Sequence, residues 1–267
     1  IPANADYNGA IYEGVGYLQL NTRHGLRVSA RDAYLKPLAR HGLLRVQTGA
    51  MVQRLLFEGT RACGVEYLEG GELRRVFAAK EVILSAGALQ SPQLLELSGI
   101  GDATRLGHLG IDVRHHAPEV GEGLRDHLHV RTTYESRNAV TLNQIMPSIW
   151  RKALMALRLA TQGNGLMSSA SAVAHALVRT APHLTQPDAK LQLHYLSSAD
   201  ARTSGKLVLD DFSGFSIGTF ALTPKSRGSV HITSTDPSQA PEMKANYLDH
   251  PDDLRSMLGA LRVARKD

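Results

Sequence analysis

The residues best suited to hold a ligand lie in Ala86-Gly87-Ala88-Leu89-Gln90-Ser91. Ala86-Gly87-Ala88 carries almost no side-chain bulk, so another group can lie against the backbone there. Other chemistry-bearing residues are few. His127 and His129 stand two apart, a strand spacing that could chelate a metal, but no third ligand has zinc-like spacing. They read as strand-end histidines, and no metal site is expected. His194 sits on an alternating segment, Leu191–Leu196, opposite Leu191, Leu193 and Tyr195. Cys63 is the single cysteine, which excludes an internal disulfide and a cysteine zinc site; it reads as a buried strand residue, compatible with a reducing cytoplasm.

The elements that position the bend read as strand, turn and helix. Val82-Ile83-Leu84 is a short apolar run suited to a buried parallel strand. Ser91 is placed as an N-cap with Pro92 at the first helical position, Leu94, Leu95 and Leu97 follow, and Gly99 ends the helix. Ligands in open α/β sheets sit at the carboxyl ends of strands, against such turns. Upstream, Met51–Phe57, Cys63–Leu68 and Leu73–Ala78 read as a meander, with a hairpin turn at Glu69-Gly70-Gly71-Glu72, and a short strand is expected at Leu44–Val46.

Gly87-Ala88-Leu89-Gln90-Ser91-Pro92-Gln93-Leu94-Leu95-Glu96-Leu97-Ser98-Gly99-Ile100-Gly101 resembles, along its full length, the second signature of the glucose–methanol–choline (GMC) flavoprotein oxidoreductases. Asp6-Tyr7-Asn8-Gly9-Ala10, Val120-Gly121 with Leu124, Asp126 and His127, and Pro224-Lys225-Ser226-Arg227-Gly228 with Asn246-Tyr247-Leu248 resemble further blocks of that family in the same order. Gly123 and Arg125 stand where Asn and Gln are usual. The resemblance implies a mixed fold, α/β plus α+β: a partial FAD-binding doubly wound domain with a β-meander over residues 30–125, and a substrate domain from 1–29 and 126–267 built on an antiparallel sheet with helices.

Carried over residue by residue, the resemblance implies that Val52, Ala86, Gly87, Ala88 and Ser91 contact the adenosine half of FAD, and that Ser171 and His194 face a small-molecule alcohol. The chemistry implied is oxidation of an alcohol CH–OH by hydride transfer to flavin, with oxygen or a quinone as acceptor. Choline-type members have a glutamate where Ser171 aligns, so a neutral alcohol is expected. The family's Gly-x-Gly-x-x-Gly turn is not found, since Gly121-Glu122-Gly123 lacks the third glycine, and its catalytic histidine would lie beyond Asp267. No catalytic residue is therefore assigned, and this segment alone is expected neither to turn over an alcohol nor to purify with flavin. A hydroxynitrile lyase on the same fold and a non-catalytic remnant are the alternatives.

Composition bounds the rest. The 267 residues are 43% hydrophobic and 21% charged, as in a globular protein with a real core. The net charge of +5 is scattered among acids, and aromatics are only 5%, so no nucleic-acid surface is expected. No apolar run approaches the ~20 residues of a membrane span, and the first residues show no signal peptide. A cytoplasmic location is expected. Ser148–Thr161 reads as an amphipathic helix with Ile149, Ala153, Leu157 and Ala160 on one face and Arg151 and Arg158 on another; such a helix can lie on a membrane, but three basic residues more commonly mark a solvated face. A last helix is expected to bury Leu254, Met257, Leu258 and Leu261.

Overall fold

The computed structural model describes residues 1–198 and 208–265, with the side chain of Arg40 left aside. The described residues form two compact units. One draws on Ile1–Leu44, His127–Thr223 and Pro251–Asp267; the other on Arg45–Asp126 and Pro224–His250. Residues 30–44 thus belong with the first unit, and 224–250 return to the second.

The first unit is built on a five-stranded antiparallel sheet, in the order Gly14–Tyr17, Ala172–Val178, Ala189–His194, Gly214–Ala221, Val130–Glu135. Side chains alternate along each strand, so the register fixes two faces. Val15, Ala176, Leu191, Thr219 and Val130 are aligned across the sheet on one. Gly16, His175, Gln192, Gly218 and Arg131 are aligned on the other. The first face carries the helix Pro251–Ala264: Ala176, Val178, Ala189, Leu191 and Ala260 form a buried cluster, with Val15, Ile217, Val263 and Ala264 against it.

That helix does not bury the expected stripe. Met257 is buried, but Leu254 and Leu258 are exposed, and Asp253, Gly259 and Ala260 face inward. Close approach to the sheet selects small residues: a Cβ on Gly259 would come within 2.5 Å of Thr180 Cβ. Asp188 ties the contact together, accepting hydrogen bonds from Thr180 N–H (2.7 Å), Thr180 Oγ1 (2.6 Å) and Ser256 Oγ (2.8 Å).

The sheet of this unit is joined by further helical segments. Ser29 and Asp32 bond reciprocally, Ser29 Oγ accepting from Asp32 N–H and donating to Asp32 Oδ2, and so open a helical stretch that is irregular over Arg31–His41, where Pro37 has no N–H to donate. The helix Ile149–Gln162 is capped by Ser148, whose side chain accepts from Arg151 N–H, and closed by left-handed Gly163. None of its residues is buried.

In the second unit the meander Ala50–Glu58, Arg61–Glu69, Glu72–Phe77 forms as expected, turning at Gly70 and Gly71, both at positive φ. Glu66 is buried at its centre between Arg54 (2.8 Å) and Arg75 (2.7 Å), and hydrogen bonds from Arg75 and Arg54 hold its carboxyl below the usual value. No strand forms at Leu44–Val46.

Val82–Leu84 is also not a strand, and Ile83 is exposed. A strand exists only through hydrogen bonds to a neighbour, and among the described residues none lies alongside 82–84. The helix that follows runs Gly87–Leu97, five residues longer at its start than expected. Gly87 itself, at φ +90°, turns the chain into it. Ser91 is therefore inside the helix rather than its cap, and Pro92 sits in the second turn. Ser98 follows at the C-terminus, with left-handed Gly99 beyond it, and locks the helix to the meander: Ser98 Oγ accepts from Leu55 N–H (2.9 Å) and donates to Leu94 O (2.6 Å). A short parallel pairing joins Ile100–Gly101 to His115–His116.

Candidate functional site

The second unit places the bulk-free bend beside a cavity of about 590 Å³. Its walls are the start of the meander, Gly49 to Val52, the helix residues Gln90, Gln93, Leu94 and Leu97, and Ala86 and Pro237. Val52 and Ala86, some thirty residues apart in sequence, thus line one space. Gly87 adjoins it with room to spare: a Cβ there would meet no atom within 4 Å. Ala86 caps the helix without a side-chain hydrogen bond. Ala88 is exposed and Ser91 half-buried, and neither, nor Gly87, is among the residues that wall the cavity.

The lining is mixed, more apolar than polar. Val52, Leu94 and Leu97 supply apolar contact, while Gln90 and the backbone at Gly49–Ala50 supply polar atoms at the rim. Gln93 is already committed, donating to Gln239 O (2.9 Å) and Pro237 O (3.3 Å), which fixes the Pro237 wall.

Behind the helix lies a buried polar network. Glu96, fully buried, accepts from Ile232 N–H (2.8 Å) and lies 2.7 Å from His231 Nδ1. The other ring nitrogen of His231 is 2.9 Å from Glu122 Oε1. It fastens the helix to the strand Gly228–His231, whose preceding turn is held by Arg227 Nη1 donating to the carbonyls of Pro224, Lys225 and Ser226.

In the first unit, His194 ends its strand on the face away from the helix Pro251–Ala264, in register with Ala172 and Ser216. It is 4% exposed, and neither ring nitrogen has a partner. Burial, with Arg131 and His129 close by, pushes its pKa down to about 4, so the ring is neutral at neutral pH. Ser171 is exposed, one residue before Ala172.

Two more histidines share this face. His129 lies with its ring centroid 6.0 Å from that of His194, over Gly218. His175 is 3% exposed, edge-on to Tyr7 at 4.0 Å, with both nitrogens unpartnered. Burial lowers the pKa of both, helped by Arg131 at His129 and by Lys190 at His175. The sequence reading left His129 at a strand end and passed over His175. Strand parity was the available signal, since His175 and Gln192 are register partners on the His194 face. Among the described residues no group of three His, Cys, Asp or Glu is arranged to hold a metal ion.

These features agree with what the chain resembles. The GMC oxidoreductase family profiles match residues 1–129 and 224–267. An oxygen-dependent choline dehydrogenase from Photobacterium profundum is 36% identical over 265 residues, 99% of this chain and 46% of that protein. Human mitochondrial choline dehydrogenase is 34% identical over 99% of this chain and 44% of its own length. The chain therefore spans about half the length of the curated relatives it matches. Among solved structures, pyridoxine 4-oxidase from Mesorbium loti superposes with a TM-score of 0.76 at 27% identity, over 95% of this chain and 46% of that one. An FAD-dependent oxidoreductase from Chaetomium thermophilum has the same fold, with a TM-score of 0.80 at 22% identity over 94% of this chain and 49% of its own. Matched by the family's profiles at both ends, this chain belongs to the GMC oxidoreductases.

Proposed function

We propose that the chain forms part of an FAD-dependent enzyme that oxidises an alcohol CH–OH group. The family is FAD-dependent, and the reading rests chiefly on one observation: the bend at Ala86–Ala88 stands open beside a cavity that Val52 also lines. Val52 and Ala86 would hold the adenine side by apolar contact, and Gly87 would let the ribose approach the backbone, with Ala88 and Ser91 in the same turn and helix. When bound, FAD supplies the hydride acceptor.

The residues of the first unit have a different task. His194 is held neutral by burial, so it would orient an alcohol by hydrogen bonding instead of repelling or attracting charge. Its unpartnered nitrogens support this, because a buried polar atom without a partner costs about 1–3 kcal/mol unless a ligand or water satisfies it. Ser171, exposed and one residue before the strand Ala172–Val178, would be the second substrate-facing residue. The small-molecule substrate in this reading is a neutral alcohol, since Ser171 stands where the choline-type members have a glutamate. A cytoplasmic location belongs to this reading, and Cys63, buried and unpaired, is compatible with it.

The test is spectroscopic. In the full-length polypeptide carrying this segment, anaerobic mixing with a primary alcohol should bleach the flavin absorbance. Retention of an oxidised spectrum with a panel of alcohols, by protein that carries stoichiometric flavin, would contradict the proposal.

A further inference from the structure

The helix Ile149–Gln162 turns its apolar side outward. Ile149, Trp150, Leu154 and Leu157 are 68%, 82%, 67% and 59% exposed, and no residue of the helix is buried. Only Lys152, Met155 and Leu159 are half-buried, on the side toward the protein.

The charge around this face is of one sign. From residue 136 to residue 187 there is no Asp or Glu, while Arg137, Arg151, Lys152, Arg158 and Arg179 are all present. On the helix, Arg151 and Arg158 flank one edge of the apolar arc and Lys152 the other. Arg151 bonds only the Gln144 carbonyl and Arg158 the Asn164 side-chain oxygen, both at 3.3 Å. Neither they nor Lys152 has a carboxylate partner among the described residues. Trp150 lies within the apolar arc, between Leu157 and Leu154 by helical spacing, and is its most exposed member.

Fourteen residues span about 21 Å of helix, short of the ~30 Å hydrocarbon core, and among the described residues no helix is long and apolar enough to cross a membrane. An exposed apolar arc bordered by cations fits one occupant by both criteria at once, apolar contact and charge: the surface of an anionic lipid bilayer. We propose that Ile149–Gln162 lies in the plane of an anionic membrane, with Ile149, Trp150, Leu154 and Leu157 inserted and Arg151 and Arg158 at the headgroups. Caps at both ends, Ser148 and Gly163, fix the helix independently of burial, so the arc is presented preformed.

Trp150 is the only tryptophan in the chain, so its fluorescence reports this helix alone. Mixed phosphatidylcholine–phosphatidylglycerol vesicles should shift its emission to the blue and carry the protein down on sedimentation. Pure phosphatidylcholine vesicles should do so far less, and added salt should weaken the effect. Arg151→Gln with Arg158→Gln should lower partitioning roughly 30-fold. Leu154→Glu with Leu157→Glu should abolish it, with circular dichroism unchanged because both positions are exposed. Three results would overturn the proposal: emission unmoved by anionic vesicles, a blue shift that follows protein concentration without lipid because a second copy covers the face, or equal binding to neutral vesicles unaffected by loss of the two arginines.

Discussion

His231 and Glu96, 135 residues apart in sequence, meet at 2.7 Å in the interior of the second unit. The contact is sealed, with His231 5% and Glu96 0% exposed, and the free carboxylate oxygen of Glu96 takes the Ile232 N–H. Glu96 belongs to the helix that walls the cavity and His231 to the strand behind it. Their bond therefore sets where the helix stands.

Removing one partner leaves the other buried and unsatisfied. His231→Ala should destabilise the protein by about 3 kcal/mol, read as a lower urea midpoint. Glu96→Gln retains an acceptor for Ile232 N–H and a polar contact to the ring, and should cost about 1 kcal/mol. Lys244→Ala, which removes a surface partner of Glu242, should change stability by less than about 0.5 kcal/mol. Equal losses in all three variants would show that the buried contact has no special weight.

The His194 pKa, lowered from 6.5 to about 4, makes stability depend on pH with a definite sign. The unfolded chain takes up a proton on His194 near pH 6.5, while the folded chain resists until about pH 4. The contribution is fully present above pH 6.5 and is lost as pH falls through that window. His129 and His175, also lowered, act in the same direction. Urea denaturation between pH 7 and pH 4 should show falling stability, and His194→Gln should flatten part of that slope. An unchanged slope would mean that His194 titrates normally when folded.

Gly218 is small because His129 needs the space. A Cβ there would clash with the Nε2 edge of the His129 imidazole, and its backbone is not in the left-handed region, so the conflict is steric alone. Gly218→Ala should displace the His129 ring from its place beside His194 and cost about 1–3 kcal/mol. Histidine ring resonances check this directly: those of His129 and His194 should move together, while those of His24, in a distant turn of the same unit, should not.

Much of this was legible where local chemistry decides. Gly70 and Gly71 announced the hairpin, and Ser148 and Gly163 bounded their helix, because turns and caps are settled within a few residues. Burial was less legible. Leu254 and Leu258 look like core by spacing, but the helix lies so close to the sheet that Gly259 and Ala260 are what fit, a property of the sheet and not of the helix. Val82–Leu84 has a strand's composition without a neighbour to bond. The histidine face was readable in part, since His194 and His175 share strand parity only once the register of Ala172–Val178 on Ala189–His194 is known. The bend at Ala86–Ala88 was readable as bulk-free, yet its cavity depends on Gly49–Val52 and Pro237 arriving from elsewhere in the chain.

The central claim is that Val52 and Ala86 wall the space for the adenosine half of the cofactor, and AMP reproduces that half. Saturation-transfer NMR on the chain with AMP should show adenine protons in contact with the methyl groups of Val52 and Ala86, and Ala86→Leu, which pushes a bulkier side chain into the cavity beside Val52, should abolish the transfer. Absence of transfer in the unaltered chain, or transfer that survives Ala86→Leu, would contradict the assignment.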